Sequence, residues 1–328
     1  MDLHSELLRE VDLMKTQDFK KAKVLVTGGA GFIGSNIVDG LIHMGHSVIA
    51  VDSLITGSIE NLSPLALFYQ QDITDEKVME KIFNSHKPDF VIHTAAQISV
   101  PASVENPVFD AQQNIMGTLT VLKMCQKYGT KKIIFSSTGG AVYGESVPIP
   151  TTEDTCPNPI SPYAIAKLSC EKYIEFYSRQ YGLDYTVLRY SNVFGPRQIP
   201  KGEAGVVCIF TENMLKNKEI NIYGNGEQTR DFIYVGDVVM ANLKALMNGS
   251  GEKINISTNT PTTINELFKV LSEKIGYSSL PIYKDERAGD IKDSLLSNSK
   301  AKKVLSWEPK YDLEKGVGET VDWYKTII

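Results

Sequence analysis

Residues 23–34 read K-V-L-V-T-G-G-A-G-F-I-G. A short apolar run passes into a glycine-rich turn, and the turn passes directly into an amphipathic segment, 32–44. The glycine spacing, G-x-x-G-x-x-G, is one residue wider at the front than the G-x-G-x-x-G of dinucleotide-binding turns, and it meets the same demands. Gly28 permits a tight turn, Gly31 lets the backbone approach a pyrophosphate, and Gly34 lets the helix pack closely on the strand. The helix amino terminus then offers unpaired N–H groups and a partial positive charge to phosphate oxygens. Asp52 closes the next apolar run, 18 residues past Gly34. A carboxylate there accepts hydrogen bonds from ribose hydroxyls and repels a 2′-phosphate. No Lys or Arg stands between Asp52 and Glu60 to attract that phosphate, so NAD is expected rather than NADP. Asp72, after the third apolar run, is a candidate for the adenine amino group and equally for an ordinary loop aspartate.

Outward from this unit, short apolar runs alternate with longer amphipathic ones, the signature of strand–helix–strand winding. Segments 24–26, 47–51, 90–93, 132–135 and 185–190 read as buried parallel strands, and 32–44, 109–128 and 161–181 as helices. Ser161 caps the last helix and Pro162 occupies its first position. The expected fold is α/β, a doubly wound parallel sheet of the Rossmann type with ligands at the carboxyl ends of its strands. Past Arg189, loops rich in Gly, Pro and Asn (195–205 and 224–228) mark a smaller α/β substrate-binding lobe. The expected division is an amino-terminal helical extension (1–22), a cofactor domain (23–190) and a lobe formed by 191–230 and 258–328. A strand at 231–235 and a helix from near Asp237 are read as returning to the cofactor domain, over about 231–257.

The bulk numbers fit a large domain with a second lobe: 328 residues exceed what one small core needs. A net charge of −5 argues against a general nucleic-acid binder, which needs a basic surface to displace counterions. Cys125, Cys156, Cys170 and Cys208 form no C-x-x-C pair. Reduced thiols in a cytoplasmic enzyme are therefore expected, with no metal site and no disulfide framework. No apolar run reaches the roughly 18 residues of a membrane span, and the charged first 20 residues lack the apolar core of a signal peptide. Leu3, Leu7, Leu8, Val11 and Met14 fall near helical spacing, which suits a short helix lying on the body or on a partner subunit.

Y-A-I-A-K at 163–167 puts Tyr163 and Lys167 four residues apart, on one face of the 161–181 helix. A phenol has an ordinary pKa near ~10 and is a poor base at neutral pH; a neighbouring ammonium and a positive nicotinamide ring favour its phenolate. Lowering that pKa by about 3 units requires roughly 4 kcal/mol, within reach of two close cations. F-S-S-T-G-G-A-V-Y-G (135–144) brings further hydroxyls to a carboxyl end of the sheet. Thr138 suits hydrogen bonding to a reacting hydroxyl in support of proton transfer. Ser136 and Ser137 suit structural or cofactor contacts. With no His or carboxylate beside Thr138, the threonine is not expected to act as a nucleophile.

Together, T-G-G-A-G-F-I-G, F-S-S-T, Y-A-I-A-K, R-Y-S-N-V-F-G-P-R (189–197), G-E-Q-T-R-D-F-I-Y-V-G-D-V (226–238) and R-A-G-D-I (287–291) resemble the extended short-chain dehydrogenase/reductases, over about residues 23–326. Among these the nucleotide-sugar 4-epimerases are the nearest. The resemblance implies NAD as cofactor, a UDP-sugar as substrate, and a homodimer built on the helices at about 105–128 and 161–181. It implies that Tyr163, Lys167 and Thr138 form the catalytic trio. It further implies NAD contacts from Gly28, Gly31, Phe32, Ile33, Gly34, Asp52, Asp72, Ile73, Ala95, Ala96, Gln97 and Asn114, with Ser136, Tyr163 and Lys167 beside them. Asn192, Arg230, Arg287 and Asp290 match positions that hold the nucleoside diphosphate, a task that suits guanidinium groups.

The activity so implied is exchange of UDP-glucose and UDP-galactose through a 4-keto sugar. Ser294 stands where a bulky Tyr blocks 2-acetamido sugars in this family, so UDP-N-acetylhexosamines are expected to fit as well; the plain alternative is a turn-capping serine. Three rival readings remain: a 4,6-dehydratase, a UDP-uronate 4-epimerase and an NAD-sensing binding protein. Related dehydratases carry Asp-Glu after the active-site Thr, where this chain has Gly139 and Gly140. A uronate would need cations such as Lys201 or Lys292 for its carboxylate. A sensor has no use for an intact catalytic trio.

Overall fold

The computed structural model describes residues 11–12, 20–145, 147–200, 205–286 and 292–328. Seven strands form one sheet: β1 (Lys23–Thr27), β2 (Ser47–Asp52), β3 (Leu67–Gln70), β4 (Phe90–His93), β5 (Lys132–Thr138), β6 (Asp184–Tyr190) and β7 (Glu252–Ile256). Their spatial order is β7-β6-β5-β4-β1-β2-β3, and every neighbouring pair is parallel. The sheet is therefore the doubly wound one that the alternating pattern predicts.

Both faces are covered, which explains why the strands read as unbroken apolar runs. Val24 and Val26 of β1, Val48 and Ala50 of β2 and Ile92 of β4 enter one core layer. Leu25, Ile49 and Val91, the residues between them, enter the other. The first layer is closed by α1 (Phe32–His43) and a helix at Val235–Ala245, which pack on each other. They approach so closely that a Cβ on Gly40 would lie 2.8 Å from a Val239 methyl. The second layer is closed by α2 (Glu76–His86), α3 (Gly117–Tyr128) and α4 (Pro162–Tyr181). As expected, the Ser161 hydroxyl caps α4, accepting from the Ala164 N–H, with Pro162 in the first turn.

Three elements differ from their sequence reading. The helix expected at 109–128 comes in three parts: an α-turn (Pro107–Ala111), a π-helical turn (Gln112–Met116) and α3. Widened turns of this kind re-aim side chains and gather at functional sites. The strand expected at 132–135 runs on to Thr138, so both serines of F-S-S-T lie within β5. The strand expected at 231–235 is Phe232–Tyr234, and it pairs with Asn192–Phe194 in a separate two-stranded sheet. The strand that rejoins the large sheet is β7, paired with β6.

A third core, with Phe194, Phe210, Tyr234, Leu267, Leu271 and Val321, lies among the helices Val206–Leu215, Ile264–Ile275 and Leu313–Tyr324. Of the amino-terminal segment, only Val11 and Asp12 are described. Val11 is fully buried in the same core as Leu41 and Met44, and the Asp12 carboxylate lies 3.3 Å from the His43 ring. The other positions read as a helix there lie outside the described residues.

Candidate active site

Strand order reverses between β1 and β4, so the loops leaving their carboxyl ends part and open a crevice. Gly28 stands at its base with φ +67°, a left-handed conformation that side chains resist, and its N–H donates to the Val51 carbonyl at 2.8 Å. A Cβ on Gly34 would lie 2.0 Å from the Gly28 carbonyl oxygen, so the close packing expected there is real. On Gly31 a Cβ would meet only that same oxygen, at 3.2 Å, and otherwise open space. Gly29, to which no role was given, is held against Ala50, 2.8 Å from where its own Cβ would stand. Phe32 and Ile33 begin α1 directly after this turn.

Asp52 ends β2 nearly buried; one carboxylate oxygen accepts from the Ala30 N–H at 3.0 Å and the other from the Leu54 N–H at 2.8 Å. It thus ties the glycine turn to β2, and about half of its roughly four lone-pair sites remain for ribose hydroxyls. Asp72 accepts from both the N–H and the hydroxyl of Thr74, each at 2.8 Å, and Ile73 is buried against Gly117. Ala95 and Ala96 leave β4 beside the turn, the Ala95 N–H donating to the Thr27 hydroxyl at 3.3 Å. The Gln97 N–H donates to the Asn114 side-chain oxygen at 2.9 Å, and the Asn114 amide donates back to the Gln97 carbonyl at 3.0 Å. The residues present fit NAD: a cradle that side chains would fill, helix N–H groups for phosphates, and an acidic residue for the ribose.

One side of the crevice is lined by β5 and α4. Thr138 is the last residue of β5, partly exposed, and its side chain caps no helix. Tyr163 lies in the first turn of α4, where its N–H donates to the buried Ser103 hydroxyl at 3.2 Å. Lys167, one turn on, is buried; its ammonium donates to the Ser136 carbonyl at 2.9 Å and sits 4.8 Å from the centre of the Phe135 ring. Burial pulls its pKa from 10.5 down to about 8, against the opposing pull of Cys170, Asp110 and Glu171. The Ser136 hydroxyl lies 3.0 Å from that of Tyr190, and Ser137 donates to Glu171 at 2.7 Å. Both serine side chains therefore tie strands and helix together, while the Ser136 carbonyl serves Lys167.

Of the nucleotide-holding positions, Asn192 is exposed, with its N–H donating to the Asp231 carbonyl at 2.9 Å. Arg230, in the short strand Thr229–Arg230, donates to the Thr229 and Lys292 carbonyls at 2.9 and 3.3 Å. The Ser294 N–H donates to the Thr229 carbonyl at 3.2 Å, which places Ser294 beside Arg230. Two residues on, Leu296 packs on the turn that follows Thr138: a Cβ on Gly139 would lie 2.3 Å from a Leu296 methyl. Arg287, Asp290 and Lys201 lie outside the described residues.

Sequence reasoning gave no role to several groups that hold this site. Glu171 and Arg189 form a buried two-point pair that also engages Ser137 and the Tyr143 hydroxyl. Asp231 is fully buried and accepts from Thr258, Asn259 and Ser191. Asp110 is buried and accepts from the side-chain amides of Gln97 and Asn114. Only Asp110 has a local signal, lying one helical turn before Asn114. Among the described residues no cluster of His, Cys, Asp and Glu could hold a metal ion, and no helix is long and apolar enough to cross a membrane.

Comparison with known proteins supplies the deciding observation: the profile of the NAD dependent epimerase/dehydratase family matches residues 24–257, which include the glycine turn, Tyr163 and Lys167. The chain belongs to that family. NAD is the cofactor of this epimerase/dehydratase chain, and it is an enzyme. A putative UDP-glucose 4-epimerase of Methanocaldococcus jannaschii is 50% identical over 92% of this chain and 98% of its own length. The UDP-glucose 4-epimerase of Thermotoga maritima, solved with UDP-glucose, is 56% identical with a TM-score of 0.92, over 93% of this chain and 99% of that one. A UDP-N-acetylglucosamine 4-epimerase of Methanobrevibacter ruminantium, in complex with UDP-N-acetylmuramic acid, is 40% identical with a TM-score of 0.89, over 94% and 100%.

Proposed function

We propose that the chain interconverts UDP-glucose and UDP-galactose by inverting carbon 4 of the sugar. The observation that carries this reading is the buried ammonium of Lys167, fixed to the end of β5 one helical turn from Tyr163. A cation held there lowers the cost of a phenolate at Tyr163. A bound NAD would supply the acceptor and donor of hydride for sugar C4. Tyr163 removes the proton of the 4-hydroxyl and later gives it back, and Thr138 orients that hydroxyl by hydrogen bonding. Asn192, Arg230, Arg287 and Asp290 hold the nucleoside diphosphate, so that the 4-keto sugar can turn over without leaving. Gly28, Gly31 and Gly34 shape the cofactor turn, Phe32 and Ile33 open the helix whose N–H groups face the phosphates, and Asp52 takes the adenosine ribose. Asp72, Ile73, Ala95, Ala96, Gln97, Asn114 and Ser136 complete the cofactor's surroundings.

The glycine after Thr138 disfavours the dehydratase reading. Neither Gly139 nor Gly140 offers the acid that elimination needs, and a Cβ at 139 would press on a Leu296 methyl 2.3 Å away. Sugar choice follows Ser294, whose small side chain admits a 2-acetamido group; the likeness to a UDP-N-acetylglucosamine 4-epimerase is in keeping with this. Homodimerisation is part of the same proposal. Val108 (78% exposed), Phe109 and Met116 on one helical stretch and Ile165 and Phe176 (50% exposed) on α4 form an apolar face that a second copy would cover.

One assay tests the function: purified protein, with no nicotinamide added, incubated with UDP-galactose and with UDP-N-acetylglucosamine. Both C4 epimers are expected to form, and Tyr163→Phe is expected to lose at least about 100-fold in turnover while keeping its NAD. A 4-keto-6-deoxy product, or full activity in the Phe variant, refutes the reading. Turnover of UDP-galactose alone refutes the role given to Ser294.

A further inference from the structure

α1 carries Phe32, Asn36 and Asp39 at helical spacing, so the three share one face. That face meets a single stretch of chain, 193–197, which follows β6. Phe32 packs on the core that holds Phe194. Asn36, fully buried, donates from Nδ2 to the Pro196 carbonyl at 3.3 Å. The Asp39 carboxylate accepts from Arg197 Nη2 at 2.6 Å, and the two side chains are only 18% and 20% exposed. An ion pair so far out of water is little screened by salt, and parting its members is costly.

The other side of this stretch belongs to the substrate lobe. Asn192 to Phe194 pair with Phe232 to Tyr234, and the Tyr324 hydroxyl donates to the Gln198 carbonyl. Arg197 itself adopts φ +72°, a left-handed conformation that a side chain resists. Strain of this kind persists only where surrounding contacts impose it, and here the contact is with Asp39. The path of the stretch also matters. β5 and β4 stand between β6 and β1 in the sheet, and α1 begins just past the carboxyl end of β1. Chain running from the end of β6 to α1 therefore covers three strand spacings, roughly 14 Å, along the edge where the crevice opens.

We infer that Asp39 and Arg197 form the clasp that keeps NAD in its crevice between turnovers, and are thereby positioning residues for the cofactor. α1 turns its amino terminus to the phosphates, and the stretch 192–198 borders the same crevice. While the clasp is shut the helix and the lobe stay together, and the cofactor leaves only when they part. The inference rests on the placement of NAD at the glycine turn and is independent of which sugar is turned over.

The test is the rate at which the full-length holoenzyme releases NAD, read by an added dehydrogenase that traps and reduces the free cofactor. Wild type is compared with a double variant, Asp39→Ala with Arg197→Gly. Removing both partners leaves no unpaired charge, alanine suits the helix, and glycine adopts the left-handed turn without strain. The double variant is expected to release NAD at least about tenfold faster than wild type. Arg197→Lys, which keeps a cation facing Asp39, is expected to release it more slowly than the double variant. Stripped of NAD, wild type and double variant are expected to melt within about 3 °C of each other, because the clasp acts on release and not on the fold at large. Equal release from wild type and the double variant overturns the clasp alone. So does a stripped double variant that melts far below stripped wild type, or an Arg197→Lys protein as fast as the double variant. A wild type that holds no NAD at all sinks the placement of the cofactor, and the clasp with it.

Discussion

Lys167 carries its charge where burial opposes it, and the consequence can be measured. Its pKa is about 8 in the folded chain against an ordinary 10.5. A base whose pKa falls on folding binds fewer protons in the native than in the unfolded state between those two values. Its penalty is therefore full below about pH 8 and fades as pH rises to 10.5. The difference corresponds to roughly 3 kcal/mol. Lys167→Met removes the penalty but leaves the Ser136 carbonyl without its donor, at a cost of about 1–3 kcal/mol. The variant is expected to equal or exceed wild type in urea resistance at pH 7 while losing at least about 100-fold in turnover. Between pH 7 and 10.5 the balance should move by about 3 kcal/mol in favour of wild type. Urea melts at several pH values read this directly, and a difference independent of pH would mean that the ammonium is not held under strain. The same residue shows what is legible at this scale. Lys167 stands out in the sequence because it lies four positions after Tyr163; that its partner is a backbone carbonyl of the neighbouring strand does not.

At the scale of elements, the strand–turn–helix unit shows two glycines doing different work. Gly34 sits where a Cβ would overlap the Gly28 carbonyl oxygen, at 2.0 Å. Gly34→Ala must therefore push α1 away from β1, and is expected to destabilise the protein by about 2–3 kcal/mol as well as to weaken NAD retention. Gly31→Ala meets only one atom, at 3.2 Å, and otherwise projects into the crevice. It is expected to melt within about 1 kcal/mol of wild type while losing most of the co-purifying NAD. Thermal melts together with cofactor absorbance separate the two, and equal losses of stability would show that both glycines serve packing alone. The Glu171–Arg189 pair belongs to this scale as well: it fastens α4 to β6 and, through Ser137, to β5. Its members lie 18 residues apart on separate elements, so neither spacing nor motif discloses the pairing.

For the whole molecule, the apolar positions left outward on the 107–116 stretch and on α4 set the prediction. A double variant, Val108→Glu with Phe176→Glu, places charges on the face proposed to meet a second copy. Sedimentation or light scattering should find wild type at twice the mass of the chain and the variant at the mass of one chain, with the same circular dichroism. A wild-type monomer removes that part of the proposal. Since neither residue lines the crevice between β1 and β4, any change in turnover in the variant would be read as an effect of assembly.

The sequence by itself determined the sheet, its winding, the glycine turn, Asp52 and the Tyr163–Lys167 spacing. These depend on near neighbours in the chain: a strand covered on both faces must be apolar throughout, and a turn that admits a pyrophosphate must lack side chains. Only the tertiary structure decided which strand closes the sheet, since 232–234 and 252–256 are both short apolar runs and the pairing energy lies with the partner strand. The same holds for the buried charges. Asp110, Asp231 and Glu171 look like surface carboxylates in the sequence, and it is the fold that removes water from them and supplies donors from residues up to 65 positions away, as Leu296 does for Asp231. Periodicity records which way a side chain faces; it carries no record of which distant group it will meet.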